Sequence, residues 1–90
     1  MHLDFKSIIN IHKKITDNVK WTETNFSSSI TEKIGVDTFF KFENRQYTGA
    51  FKVRGSYSKL LSLSDHEKQS GVVAMSAGNN AQGLAFIAKK

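Results

Sequence analysis

The chain of 90 residues contains no cysteine and no proline. The absence of cysteine excludes disulfide bonds and metal sites built on thiolates. No apolar run approaches the roughly 20 residues that a transmembrane helix needs. The N-terminal stretch also lacks the apolar core of a signal peptide. These absences predict a cytoplasmic protein that makes no membrane contact.

Basic residues outnumber acidic ones, 13 to 8, but they are not clustered. The longest basic runs are the pairs Lys13-Lys14 and Lys89-Lys90, and Arg45 and Arg54 are the two arginines. Nucleic-acid binding usually requires a basic stripe or a known module, so the sequence predicts none. His12 has no second ligand at metal spacing, and we therefore predict no metal site. The length and the ordinary hydrophobic content indicate one small globular domain at most.

The first segment has helical periodicity. Asp4 is a suitable N-cap, and apolar residues at steps of three and four form one face: Phe5, Ile8, Ile11, Ile15 and Val19. Residues 20–35 lose this periodicity and are rich in Ser and Thr, which predicts a loop with about one turn of helix.

The rest of the chain alternates between predicted strands and helices. Strands are predicted over 36–43 and 72–76, and helices over 51–63, 65–70 and 81–90. The inward residues of the first and last of these helices are predicted to be Val53, Tyr57, Leu60 and Leu61, and Ala81, Leu84, Ala85 and Ala88. A helix between two strands favours parallel pairing, so the order helix–strand–helix–strand–helix predicts an α/β fold with an open parallel sheet. Because two strands cannot cover both of their faces, this is expected to be part of a larger domain.

Lys52, in the stretch "TGAFKVRG" (48–55), is the first candidate for chemistry. It is predicted at the start of a helix, where the partial positive charge disfavours an ammonium group, and burial would lower the pKa of this lysine further. A neutral amine is the nucleophile that Schiff-base chemistry requires. The alternative is a solvated surface lysine, which is the usual state of this residue type.

The second candidate is "SAGNNAQG" (76–83), which follows a predicted strand and opens a helix. Ligands of parallel sheets bind beyond the carboxyl ends of the strands, and free amides at a helix start suit a carboxylate or phosphate. Asn79 adds both a donor and an acceptor. The alternative is an ordinary strand-to-helix turn, in which Asn and Gly are common.

Together, "KFENRQYTGAFKVRG" (41–55) and "GVVAMSAGNNAQGLA" (71–85) resemble fold-type-II enzymes that use pyridoxal phosphate (PLP). The nearest likeness is to threonine dehydratase, with serine dehydratase and serine racemase as relatives. The resemblance runs over 36–88, and it implies that residues 1–90 form a partial domain, the N-terminal part of a PLP-dependent lyase. It also implies a small amino-acid substrate and homo-oligomers for the full-length relatives.

The resemblance assigns a role to each site residue. Lys52 would bind the PLP aldehyde covalently, Phe51 would lie against the pyridine ring, and Asn79 would hydrogen-bond the ring hydroxyl. The substrate carboxylate would be held by Ser76, by Asn80 and by backbone amides of the turn that include that of Ala81. Relatives usually have His in place of Asn80.

The implied reaction is β-elimination from L-threonine or L-serine, which gives a 2-oxo acid and ammonia. Val53 favours this branch, because the related synthases commonly have Asp at that position. A racemase is the first alternative, but its second acid is expected at residue 77, and Ala77 has no proton to give. The other alternative is a non-catalytic, truncated remnant, since the family binds the cofactor phosphate much further along the chain. We expect the 90 residues alone to be inactive.

Overall fold

The computed structural model describes residues 3–90. The predicted partial domain, 1–90, begins with residues 1 and 2, which lie outside the described range. The elements in chain order are α1 (Phe5–Ile15), β1 (Thr24–Phe26), α2 (Ser28–Ile34), β2 (Phe39–Lys41), a 3-10 turn (Glu43–Arg45), α3 (Lys52–Leu61), α4 (Asp65–Ser70) and α5 (Asn79–Ala88). No helix among the described residues combines the length and the hydropathy of a membrane span.

The N-cap of α1 and the bounds of α4 agree with the sequence prediction, whereas α1 ends at Ile15, before Val19, the last residue of its predicted face. The Asp4 carboxylate accepts a hydrogen bond from the Ser7 amide at 2.7 Å, so it is the N-cap of α1. At α4, Ser64 and Glu67 form a reciprocal capping box, and Gly71 ends the helix with φ 82°. Both caps satisfy amides that have no partner inside the helix.

α2 occupies seven residues of the segment predicted to be mostly loop. The Ser27 hydroxyl accepts from the Ile30 amide at 3.4 Å, and Gly35 ends the helix in the left-handed region with φ 75°. A serine N-cap and a glycine C-cap are enough to define a short helix whose side chains have no buried face. None of the residues of α2 is buried, so the sequence of this helix needs no apolar face and shows no helical periodicity.

β1 and β2 form a two-stranded antiparallel sheet in which Thr24 pairs with Lys41 and Phe26 pairs with Phe39. The predicted pairing of 36–43 with 72–76 is not formed within residues 3–90. Residues 72–76 have no regular secondary structure, and Val73 and Met75 are 99% and 100% exposed. A strand requires a partner for its backbone groups, and residues 72–76 have none within residues 3–90.

The core lies between α1, α3 and α5 and consists of Ile15, Val19, Val53, Tyr57 and Ile87. Val53 and Tyr57 are buried as predicted, Leu60 packs against this core, and Leu61 is exposed. The inward face of α5 was predicted wrongly. Gly83 and Ile87 are buried there, whereas Ala81, Ala85 and Ala88 are exposed.

Candidate functional site

Lys52 is the first residue of α3, as the sequence predicted, but its side chain is exposed. The burial that the sequence analysis expected for Lys52 is therefore not present in residues 3–90. Its Nζ atom lies 5.1 Å from the centroid of the Phe51 ring, which is itself 57% exposed. Within residues 3–90, the ion pair of the structure joins Glu43 and Arg54. The Lys52 amine forms no ion pair with a carboxylate in this range.

A tight turn leads the chain into α3. Gly49 has φ 76°, a backbone conformation that residues other than glycine disfavour. The Gly49 amide donates a hydrogen bond to the Gln46 carbonyl at 2.8 Å. Phe51 is the N-cap of α3 and makes no side-chain capping bond. The orientation of the first turn of α3 therefore depends on its neighbours rather than on a cap.

One of these neighbours is a polar cluster built on Glu43. Its carboxylate accepts hydrogen bonds from Arg54 Nε and Arg54 Nη2, from the Thr22 hydroxyl and from the Gln46 amide. Gln46 also exchanges two hydrogen bonds with the backbone of Lys20, at 2.8 and 2.7 Å. The Glu43 cluster thus joins residues 20–22, the 3-10 turn and the first turn of α3.

The Glu43 carboxyl is ionised under all ordinary conditions. Partial burial by itself raises the pKa of Glu43, but the hydrogen bonds from Arg54 and Thr22 and the positive charge of Arg54 outweigh burial and hold the pKa at about 2. The two-donor fork of arginine suits a carboxylate, and such pairs are stronger than neutral hydrogen bonds.

The start of α5 is capped by the side chain of Ser76, which precedes the helix. The Ser76 hydroxyl oxygen accepts from the amides of Gly78 and Ala81, each at 3.1 Å. The Ala81 amide, which was predicted to face a substrate carboxylate, is thus already bonded. Asn80 Oδ1 accepts a 3.5 Å hydrogen bond from the buried hydroxyl of Ser56 on α3. The side chain of Asn79 is exposed.

Three contacts show that α3 and α5 run antiparallel. Tyr47, ahead of α3, stacks on Phe86 with ring centroids 5.4 Å apart. A Cβ placed on Gly83 would lie 3.0 Å from Val53 N and 3.2 Å from Lys52 C. The third contact is that of Ser56 with Asn80. Lys52 is therefore level with Gly83, and the start of α5 lies about one helical turn, roughly 5 Å, further along α3.

The two predicted motifs thus meet as one helix pair. Lys52 and Phe51 lie at the start of α3, and Ser76, Asn79, Asn80 and Ala81 lie at the start of α5. Within residues 3–90, no hydrogen bond joins the Lys52 side chain to any of these α5 residues. The groups suit a flat cofactor that carries an aldehyde, because the start of α3 offers an unpaired primary amine and an exposed aromatic face, and the start of α5 offers an exposed side-chain amide. The described residues contain no cluster of side chains that could hold a metal ion.

Sequence reasoning missed two features of this site, the Glu43–Arg54 pair and the close approach at Gly83. Both had a visible signal. Glu43 and Arg54 are opposite charges on either side of Lys52, and Gly83 is a glycine inside a predicted helix, where this residue costs stability unless packing requires it.

Comparisons with known proteins place these features in a family. A family model described as "Pyridoxal-phosphate dependent enzyme" matches residues 15–90, a range that begins upstream of the 36–88 resemblance. L-threonine ammonia-lyase of Thermotoga maritima is 40% identical over 87 residues, which are 97% of this chain and 22% of that protein. The catabolic L-threonine dehydratase TdcB of Escherichia coli is 45% identical over 79 residues, 88% of this chain and 24% of that protein.

A solved structure of maize serine racemase superposes with a TM-score of 0.86 at 37% identity, covering 99% of this chain and 28% of that one. The predicted resemblance to fold-type-II PLP enzymes is thereby confirmed, whereas the assignment of residues 1–90 to the N-terminal part of such an enzyme stays a prediction. The chain spans about a quarter of the length of these relatives, whose shares are 22%, 24% and 28%.

Proposed function

The chain belongs to the family of pyridoxal-phosphate-dependent enzymes, and on that premise we propose that it is the N-terminal part of an ammonia-lyase acting on L-threonine or L-serine. The observation that carries this proposal is the exposed, unpaired amine of Lys52 at the start of α3, within the matched range 15–90. The two L-threonine-deaminating relatives, at 40% and 45% identity, support the substrate class. We expect such an enzyme in the cytoplasm, as a homo-oligomer with no nucleic-acid partner.

PLP, when bound, supplies an aldehyde that reacts with amines and a ring that stabilises negative charge at the substrate Cα. In the proposed reaction Lys52 has two successive tasks. Its Nζ would hold the cofactor through the aldehyde, and the Lys52 amine would be released when the substrate amine displaces it. The neutral Nζ then accepts the Cα proton. Loss of the β-hydroxyl leaves an enamine, whose hydrolysis yields the 2-oxo acid and ammonia.

The other residues would bind and orient. Phe51 offers an apolar ring face to the cofactor ring. Lys52 Nζ lies 5.1 Å from the centroid of the Phe51 ring. Asn79 has an exposed amide to donate to the ring hydroxyl. The Ser76 oxygen is occupied as an acceptor, but its hydroxyl proton can still be donated to a substrate carboxylate, with Asn80 and the Ala81 amide beside it.

A racemase is the second candidate, favoured by the structural similarity to maize serine racemase. Racemisation requires an acid that returns a proton on the face opposite the lysine. The resemblance assigns this task to residue 77, and Ala77 has no ionisable group, so elimination is the better proposal. A non-catalytic remnant of such an enzyme is the remaining alternative.

The test is covalent trapping. The protein is incubated with PLP and reduced with borohydride, and the labelled peptides are mapped. We expect the label mainly on the peptide that contains Lys52, and its loss in Lys52→Arg, whose guanidinium is not a free amine. Lys41 and Lys59, on β2 and further along α3, provide the internal comparison. A label found mainly on either of them would contradict the assignment.

A further inference from the structure

We infer that the Glu43–Arg54 pair is a positioning device, which holds the first turn of α3 in the orientation from which the Lys52 amine reaches an aldehyde. The inference rests on the proposed function, since it assumes that Lys52 is the residue that binds the cofactor. It goes beyond that function because neither Glu43 nor Arg54 has been given a part in the reaction.

Arg54 connects the Glu43 carboxylate to the turn that carries Lys52. Arg54 follows Lys52 by two residues, and its amide donates to the Phe51 carbonyl at 3.1 Å within the first turn of α3. Its guanidinium donates through both Nε and Nη2 to the Glu43 carboxylate. Two bonds from a rigid planar group fix the direction as well as the distance of the guanidinium, and this restrains the turn that carries Lys52.

The Glu43 end of the pair is itself held in place. Glu43 is anchored by the Thr22 hydroxyl and the Gln46 amide, and Thr22 and Gln46 are each only 4% exposed. The guanidinium also donates to the Lys20 carbonyl at 3.4 Å. The carboxylate is therefore a fixed point and not a mobile surface group, and Arg54 transmits its position to α3.

The first turn of α3 has few other restraints near its start. Phe51 supplies no side-chain cap. The backbone of Lys52 and Val53 packs against Gly83 on one side, which limits the distance between α3 and α5 but supplies no directional bond. The Glu43–Arg54 pair supplies a directional bond to the first turn of α3 from residues outside the α3–α5 pair. An amine that must meet an aldehyde in a defined geometry loses rate steeply when it is displaced by about 1 Å.

The experiment compares two lysines of the same helix. The full chain is mixed with PLP alone, reduced with borohydride after a series of short intervals, and mapped for label on Lys52 and on Lys59. The variants are Glu43→Gln, which removes the charge, and Arg54→Lys, which keeps the charge but not the fork. Glu32→Gln on α2 makes the same charge change away from the Glu43 cluster and is the matched control. Far-UV dichroism reports the helix content of each variant.

We expect the initial labelling rate of Lys52 to fall about tenfold in Glu43→Gln, equivalent to about 1.4 kcal/mol. A smaller fall is expected in Arg54→Lys. The rate at Lys59 is expected to stay unchanged in both, and Glu32→Gln is expected to match the parent chain. Should Glu43→Gln lose its helices, Arg54→Lys decides the question.

Equal losses at Lys52 and Lys59 would mean that the pair only supports the fold, and the inference would be overturned. Unchanged labelling of Lys52 in Arg54→Lys and a folded Glu43→Gln would also overturn it, while leaving the proposed function intact. A parent chain in which Lys52 reacts no faster than Lys59 would instead overturn the proposed function, and the inference with it.

Discussion

Gly83 on α5 lies directly against the backbone of Val53 on α3, so close that a Cβ at residue 83 would come within 3.0 Å of the Val53 nitrogen. Val53 is completely buried, and Gly83 is buried opposite it. This contact brings the Lys52 motif and the motif at the start of α5 into one helix pair, because any larger residue at position 83 would separate the two backbones.

We predict that Gly83→Ala destabilises the chain by about 1–3 kcal/mol, the usual cost of overpacking. The atoms it would meet belong to the backbone of Lys52 and Val53 and cannot turn aside. Gly55→Ala is the matched control, because Gly55 lies within α3 with open space around it. That control is expected to gain about 0.5–1 kcal/mol from helix propensity. Urea unfolding measures both, and equal stabilisation by the two substitutions would contradict the prediction.

Ser76→Ala is expected to weaken the start of α5 by about 1 kcal/mol, the usual cost of a lost N-terminal cap. The amides of Gly78 and Ala81 would lose their acceptor and exchange their hydrogens faster, which NMR measures residue by residue. Ser58→Ala is the control, since the Ser58 hydroxyl makes no hydrogen bond within residues 3–90. Unchanged exchange at Ala81 in the Ser76 variant would show that the cap is not formed in solution.

The stability of the chain should fall as the pH is lowered from about 4.5 to about 2. The folded-state pKa of Glu43 is depressed from 4.5 to about 2, so its contribution is present above the unfolded-state value and is lost as the pH falls through the folded value. The exposed carboxyls of Asp4 and Glu67 also have lowered pKa values, because amide and hydroxyl hydrogen bonds from Ser7 and Ser64 favour their charged forms.

The contribution of Glu43 is therefore measured as the difference between the parent chain and Glu43→Gln. Urea unfolding at a series of pH values should show a shallower acid loss in Glu43→Gln than in the parent chain or in Glu32→Gln. Identical pH profiles for all three proteins would mean that Arg54 and Thr22 do not hold the Glu43 carboxylate.

The 90-residue chain by itself should not release a 2-oxo acid from L-threonine or L-serine in the presence of PLP. Lys52 and Asn79 are both exposed here, and an amine and a cofactor ring that remain in water lack the enclosed surroundings on which such chemistry depends. Formation of the 2-oxo acid is followed in a continuous assay. Turnover that requires PLP and disappears in Lys52→Ala would contradict this expectation.

Local chemistry in the sequence was sufficient for the existence of α1, α3, α4 and α5 and for the caps of α1 and α4, but not for α2. Asp4 and the Ser64–Glu67 box act on amides three residues away, so their effect does not depend on the rest of the fold. The same holds for the position of Lys52 at the start of α3. The roles given to Phe51, Asn79 and the other site residues stay predictions.

Tertiary structure decided what joins distant parts of the chain. β1 pairs with β2, Glu43 pairs with Arg54, and Gly83 packs against Val53, and none of these partners is fixed by a period of two or 3.6 residues. Residues 72–76 have the composition of a buried strand, yet they are exposed because a strand also needs a neighbour for its backbone groups. Periodicity reports which face of a segment is apolar, whereas the partner of that face is chosen by the fold.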